Sequence, residues 1–445
     1  MPTLIFYIRV SMRSVSTTTN LRKYSFLLII SALCSFTALA QENSPYSRIG
    51  IGDVIPTQNV LNRAMGGLSL AYWDLQSVNF SNPASYSRLK LTTFDVGLEY
   101  DSRRIRSGGE NPNSYRSAYL IPTYLNIGFP LSKKKNWGMT VGLKPVTRIS
   151  YDIITSTRLQ GIDSVVYQYS GNGGSYQSYL GVGYGTKKFS IGVNAGYMFG
   201  NKNYVSKLVF INDTVNYQKA RYTDSTNFGG LFVKAGIQYN FVLSGDLNLR
   251  FGATYGLENT MDAKRDISRE TYEPGLRGDI IIDSVFRTTR QRGDITLPAS
   301  FGASFMLDKI DKWMVGIEFN NTQWSQYRYY GERDALRDSW TIRVGGQFTP
   351  DQMSKKYWSR VTYRAGFYFG PDQIDIGSEL NSRAFTFGAG LPIRRNFYTN
   401  QYTTVNTTFE IGARGNKSSL VRENLFRVSF GFNLSDIWFT KREYR

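Results

Sequence analysis

The feature that most constrains this sequence is a strict alternation of apolar and polar residues over long segments. In NLFRVSFGFNL, residues 424–434, every second residue from Phe426 onward is apolar, and the residues between are polar or glycine. WMVGIEFN at 313–320 and FSIGVNAGYMFG at 189–200 follow the same scheme. Because successive side chains of a strand point to opposite faces, this pattern predicts β-strands with one apolar face. A soluble β-sandwich or barrel would also show it.

The lengths and connections of these segments favour a membrane barrel over a soluble one. Many segments exceed the five or six residues of a typical soluble strand. Short polar connections, such as 132–136 and 244–246, alternate with longer or more irregular ones, such as 107–113 and 272–283. An even number of strands with short turns on one side is typical of outer-membrane barrels. We therefore predict an all-β fold, a transmembrane antiparallel β-barrel of about 14 strands in residues 91–445.

The tryptophans agree with this arrangement. Four of them lie beside short connections, where an interfacial aromatic girdle is expected: Trp137, Trp313, Trp358 and Trp438. Trp324 and Trp340 fall nearer the opposite rim.

Residues 1–40 read as a cleaved signal peptide, with Met12 as an alternative start. Arg22-Lys23 precede an apolar run that ends before Ala38-Leu39-Ala40. These are the charged region, the hydrophobic region and the A-x-A cleavage site of a secretory leader. We interpret Cys34 as part of the hydrophobic region. The sequence thus predicts export and, together with the barrel pattern, an outer-membrane location in a Gram-negative envelope.

Composition argues against most kinds of catalysis. Cys34 is the only cysteine, and the chain contains no histidine. Disulfide scaffolds, Ser-His or Cys-His catalysis and most transition-metal sites are thereby removed. We expect no enzymatic activity, no catalytic residue, no metal and no cofactor. The net charge of +19 comes from scattered lysines and arginines in an exported chain, so we expect no nucleic-acid partner and favour anionic outer-membrane lipids or an acidic protein.

Residues 41–90 precede the first predicted strand and are too apolar for a free tail. We predict that they form an N-terminal hatch inside the barrel. The inward positions of the strands agree, since they are rich in glycine, which lets a backbone approach closely. They also carry charges that could pair with each other or with the hatch: Glu318, Arg343, Arg364, Glu410 and Arg427. The alternative is a water-filled pore with a charged lumen.

NRAMGGLSLAYWDLQSVNFSNPASYSRL, residues 62–89, resembles the start of the FadL family of outer-membrane transporters and of PorV-like Bacteroidetes barrels. Asn82, Pro83 and Ala84 match the hatch motif of that family and would form the joint between hatch and barrel. The closing SDIWFTKREYR, residues 435–445, is similar to the basic ending of Bacteroidetes barrels. The resemblance implies passive uptake of small hydrophobic compounds such as fatty acids. PorV-like barrels imply an alternative, a non-transporting, plugged subunit of a secretion or assembly complex with envelope protein partners.

Three observations would separate the candidate functions. An apolar lumen pocket reached from the loops would favour uptake, and a packed lumen with apolar loop tips would favour the complex subunit. A continuous polar channel would indicate a hydrophilic porin. The similar junctions at Asp163, Asp213 and Asp283 are explained by turn chemistry, although they also resemble O-glycosylation acceptors of Bacteroidetes.

Overall fold

The computed structural model describes residues 44–108, 113–132, 136–158, 164–211, 217–276, 278–377, 380–396, 401–416 and 419–436. The predicted leader, Asp163, Asp213 and Trp438 lie outside these residues.

Strands dominate the described residues and join into one sheet. They are β1 (Asp53–Val54), β2 (Thr92–Ser107), β3 (Ser114–Ser132), β4 (Asn136–Arg158), β5 (Ser164–Gly185), β6 (Phe189–Ile211), β7 (Lys219–Ser244), β8 (Leu247–Gly256), β9 (Asn259–Gly275), β10 (Gly278–Leu297), β11 (Ser300–Lys309), β12 (Trp313–Thr322), β13 (Arg328–Tyr329), β14 (Ser339–Phe348), β15 (Thr362–Pro371), β16 (Asn381–Asn396), β17 (Gln401–Arg414) and β18 (Val421–Asp436).

The helices of the described chain are short. They are α1 (Val60–Arg63), α2 (Tyr357–Arg360) and the 3-10 helices Pro45–Arg48, Pro83–Arg88 and Trp324–Gln326. Among the residues described, no helix has the length and apolar character needed to cross a membrane.

The sheet closes on itself as an antiparallel barrel, because β18 pairs with β2 along its whole length. β8 and β9 both pair with β7, so together they form one strand of the wall. β10 pairs with β9 and β11 pairs with β8, so β10 and β11 together form the next strand of the wall. β1 and β13 are two-residue additions to the wall. The described wall therefore has fourteen strands, and the predicted barrel is confirmed.

The alternation sorts side chains between the lumen and the outside of the barrel. In β18, Phe426 and Phe430 are each 42% exposed on the outer face, whereas Arg427 and Ser429 are buried in the lumen. This is the reverse of a soluble protein, since the apolar face meets lipid.

The wall is much taller on one side than on the other. β7 has 26 residues, whereas β12 has 10. At about 3.3 Å per residue and a tilt near 40°, the extra residues extend about 40 Å farther on the loop side. We call the loop-side halves of β4 to β7, with β9 and β10, the raised sheet.

The connection predicted at 272–283 proved to be mostly strand, which is a correction. β9 continues to Gly275, β10 begins at Gly278, and Asp283 lies within β10 rather than in a loop. The β9–β10 ladder shifts register three times between Ile281 and Gln291. Each bulge breaks the period-two pattern, so the sequence hides this strand.

Residues 44–90 fill the lumen as a hatch. Its apolar side chains pack on inward methionines of the wall, in a cluster of Leu61, Met65, Leu68, Ala71, Tyr72, Met306 and Met314. The barrel therefore has an interior that resembles a soluble core.

Candidate functional site

The joint between hatch and barrel is built around Asn82. Its Oδ1 accepts a hydrogen bond from the Ala84 N–H at 3.1 Å and so caps the 3-10 helix Pro83–Arg88. Its Nδ2 donates to the carbonyls of Leu70 at 2.7 Å and Ile237 at 3.0 Å. One buried side chain thus ties together two parts of the hatch and the wall strand β7.

Glycines of the wall make room for this joint. A Cβ at Gly192 would collide with the backbone of Pro83 and Ala84, and one at Gly236 would collide with Oδ1 of Asn82. Both residues point into the lumen, where only a missing side chain permits such close approach.

Deeper in the lumen, Arg63 of α1 forms the first of two buried charge clusters. It pairs with Glu99 and, with 3.1 Å between Nη2 and Oε2, with Glu410. Arg427 contacts the same Glu410 at 2.7 Å and Asp101 at 2.8 Å. The cluster joins the hatch to β2, β17 and β18.

Asp53 of the hatch is the centre of the second cluster. Its two oxygens lie 2.7 Å from Nη1 of Arg103 and 2.7 Å from Nη1 of Arg414. Arg414 also holds Asp372, which follows β15, through hydrogen bonds of 2.8 and 2.9 Å. Arg103 links this cluster to the first through Asp101 at 3.1 Å.

On the side of the lumen opposite the two charge clusters, Glu318 of β12 binds the hatch. Its Oε2 accepts the backbone N–H groups of Ser69 at 2.7 Å and Leu70 at 2.8 Å. Arg343 lies 3.4 Å from its Oε1. The carboxylate is nearly fully buried, and its charge is balanced by these donors.

The five predicted lumen charges all face inward, but they do not form one site. Glu410 and Arg427 meet in the first cluster, and Glu318 and Arg343 meet on the other side of the hatch. Arg364 instead donates to Gln347 at 3.2 Å and Asn406 at 3.0 Å.

The sequence analysis did not predict several of the charged residues in these clusters. Asp53 and Arg63 lie in the hatch, where no period marks an inward face. Glu99, Asp101 and Arg103 do alternate along β2, opposite outward residues such as Tyr100. Charges at alternate positions of one strand could therefore have indicated that these three residues face the lumen.

One cavity of about 230 Å³ lies between the hatch and strands β14 to β18. Its walls include Asp53, Arg103, Arg343, Tyr368, Arg414 and Glu423. Typical ligand pockets hold about 300–1,000 Å³ and are mostly apolar. This space is smaller and is lined by charges, so it suits water better than a hydrophobic ligand.

The loop-side mouth is covered by residues 323–338, between β12 and β14. Oδ2 of Asp334 accepts the N–H of Gly50 at 2.8 Å, which holds this segment to the hatch. Tyr327 is buried with Ile51 and Met198. The hatch is thus covered from the loop side as well as packed against the wall.

Among the described residues, the ladder between β3 and β4 leaves a gap in the wall. Their ladder runs only from Leu125–Leu143 to Ser132–Trp137, and the loop-side part of β3 pairs with β2 alone. There β1 of the hatch pairs with β4 instead, with Asp53 opposite Arg148. Pro145 lies where the β3–β4 ladder stops, and a proline has no N–H to donate.

The described residues contain no group of three or more His, Cys, Asp or Glu positioned to bind a metal ion.

A family model described as BamG matches residues 21–445 of this sequence. A comparison with curated proteins found no match.

Solved structures with a similar fold include two toluene transporters and a FadL homologue. The P. putida toluene transporter TodX is 16% identical with a TM-score of 0.57, over 85% of this chain and 98% of that one. A Pseudomonas aeruginosa FadL homologue is 13% identical with a TM-score of 0.55, over 86% and 98%. The Ralstonia pickettii toluene transporter TbuX is 14% identical with a TM-score of 0.52, over 85% and 98%. At these identities the likeness shows a shared fold, a FadL-type outer-membrane barrel.

Proposed function

Since this chain belongs to the BamG family and has a FadL-type outer-membrane fold, we propose that it is a protein-binding subunit of an outer-membrane assembly or secretion complex. The buried ion pairs in the lumen support this proposal. Where a carrier would hold a hydrophobic ligand, Arg63, Asp53 and their partners form buried ion pairs. An apolar ligand there would have to separate these charges, which costs several kcal/mol. No catalytic residue is needed for this function.

The raised sheet offers the partner surface. Apolar side chains on and beside β10 are more than half exposed: Leu276, Ile280, Ile282 and Val285. They lie well beyond the lipid-facing band. Exposed apolar groups that meet no lipid indicate a protein interface.

β10 also has a largely free edge. One side pairs with β9, and on the other side the described ladder comprises only Ile295 and Thr296, which pair with β13. An unpaired edge can accept a strand from another chain. The bulges of β10 limit such pairing to short segments.

Native mass spectrometry of the protein extracted from its own outer membrane in mild detergent tests the proposal. We expect a stoichiometric complex with other envelope proteins. Replacing residues 265–291 with a two-residue turn would remove the partner and leave the barrel intact, because Lys264 and Arg292 face each other in the ladder.

A point variant and its control make the test sharper. Ile280→Asn/Ile282→Asn/Val285→Asn removes the apolar surface without shortening the chain. Ile310→Asn/Met353→Asn makes similar changes on exposed residues of the short-turn rim. The first variant should lose the partner and the second should keep it. Equal complexes from both variants would contradict the proposed surface.

A second candidate function is the passage of small hydrophobic compounds, and the gap between β3 and β4 favours it. Displacing β1 from β4 would open a path from the lumen to the outer leaflet. TodX and TbuX are named as toluene transporters, which supports the same candidate. A stoichiometric small hydrophobic adduct on the extracted protein, without a protein partner, would support this function and contradict the first.

A further inference from the structure

Four arginines lie together on the outer face of the barrel at its loop-side rim. Arg104 and Arg106 are on β2, Arg116 is on β3 and Arg422 is on β18. Arg104 is directly opposite Arg116, and Arg106 is directly opposite Arg422. We call these four residues the arginine patch.

Nothing within the described chain neutralises this patch. The acidic residues of the same strands that lie nearest the patch, Glu99, Asp101 and Glu423, point into the lumen and pair there. Within the part of the chain that the structure describes, Arg104 donates to Oγ of Ser114 at 3.1 Å, and Nε of Arg422 has no hydrogen-bond partner. Like charges directly opposite each other destabilise a sheet. An anion from outside the chain would remove that cost.

The height of the patch identifies the source of the anion. Arg104 follows the outward Phe94 by ten residues on β2. At about 3.3 Å per residue and a tilt near 40°, this is about 25 Å, the height of the apolar band. Directly beneath the patch lie exposed apolar side chains of the same strands, among them Tyr100, Leu120 and Phe426. The arginines therefore stand where lipid headgroups begin.

We propose that the arginine patch binds the phosphate-bearing headgroup of an outer-leaflet glycolipid. Guanidinium groups bind phosphate through two parallel hydrogen bonds. The acyl chains of the same lipid would lie along Tyr100, Leu120 and Phe426, which continue the site into the membrane. A headgroup bound here bridges β18, β2 and β3, the strands that close the barrel.

Lipid binding to the purified barrel in detergent tests the proposal by native mass spectrometry. Three probes are compared: a phosphorylated lipid A, the same lipid after dephosphorylation, and inorganic phosphate. Arg104→Gln/Arg116→Gln removes two charges of the patch. Lys187→Gln/Lys188→Gln removes two exposed charges at the short-turn rim and is the matched control.

We expect the phosphorylated lipid to bind the wild-type barrel and the control equally. Its affinity for Arg104→Gln/Arg116→Gln should fall roughly 30-fold, since each basic residue contributes about 1 kcal/mol to binding an anionic lipid surface. Unchanged heat-modifiable migration on gels would show that both variants fold. Equal binding of the dephosphorylated lipid, equal binding by both variants, or full displacement by inorganic phosphate would each overturn the proposal.

Discussion

Arg63 in the hatch and Glu410 in the barrel wall, 347 positions apart in the sequence, form a buried ion pair with 3.1 Å between Nη2 and Oε2. Tyr368 donates a further hydrogen bond to Glu410 at 2.9 Å. The pair therefore belongs to a network that holds the hatch in one position relative to β17. Interactions of this kind resist displacement of the hatch by a ligand.

Arg63→Leu should destabilise the folded barrel by about 3–5 kcal/mol, because the buried Glu99 and Glu410 would lose one of the two cations that they share and keep only Arg427. Urea denaturation followed by tryptophan fluorescence measures the free energy of unfolding. The control is Arg221→Leu, which breaks a more exposed pair with Asp279 and should cost less than about 1 kcal/mol. Equal losses in the two variants would show that the hatch pair adds nothing particular to stability.

Acid should loosen the hatch at Asp53. Burial alone would raise the pKa of Asp53, but the guanidinium groups of Arg414 and Arg103 hold it below the ordinary value. A carboxyl with a lowered pKa stabilises the fold above its unfolded pKa, near pH 4, and this contribution is lost as the pH falls through the folded pKa. Amide hydrogen exchange at Val54 and Ile55, corrected for the intrinsic rate, should therefore accelerate in acid.

Asp53→Asn provides the comparison for this pH effect. The variant removes the titrating carboxyl, so its exchange at these amides should be faster at neutral pH and change little on acidification. A variant with the same pH profile as the wild type would assign the effect to other groups.

Gly236→Val should prevent Asn82, at the joint between hatch and barrel, from packing against β7. A side chain there would collide with Oδ1 of Asn82 and break its bonds to the hatch and β7. We expect a loss of at least about 2 kcal/mol from overpacking and unsatisfied polar groups. Ala235→Val is the matched control, because Ala235 is the preceding residue and faces outward. The two variants are compared by urea denaturation, and comparable stability would contradict the importance of close approach at Gly236.

A disulfide across the wall gap separates the two candidate functions. Val54 and Thr147 are Cα partners in the β1–β4 ladder, at a spacing that a disulfide can bridge. The cysteine of the chain, Cys34, lies in the predicted leader. Val54→Cys/Thr147→Cys can therefore be oxidised to lock β1 in the gap and reduced to release it.

If the protein serves as a complex subunit, oxidation should leave its envelope partners bound, as native mass spectrometry would show. If small hydrophobic compounds pass through the gap, oxidation should abolish uptake of a labelled toluene or fatty acid into proteoliposomes, and reduction should restore it. Uptake that persists in the oxidised form would place the path elsewhere.

The sequence by itself determined the barrel, because alternation is a local property. A strand such as β18 exposes every second side chain to lipid, so Phe426 and Phe430 could be assigned to the outer face without any knowledge of their neighbours. The same reasoning placed Glu410 and Arg427 in the lumen. It failed at β10, where bulges shift the period, and around Asp283 in particular.

Only the tertiary structure decided what the lumen contains. The partners of Asp53 are Arg103 and Arg414, which come from opposite ends of the chain, and no local pattern can indicate which charges will meet. The gap between β3 and β4, the height of the raised sheet and the pairing of Arg104 with Arg116 depend in the same way on register. Register follows from closure of the ring around the hatch, which is a property of all strands together.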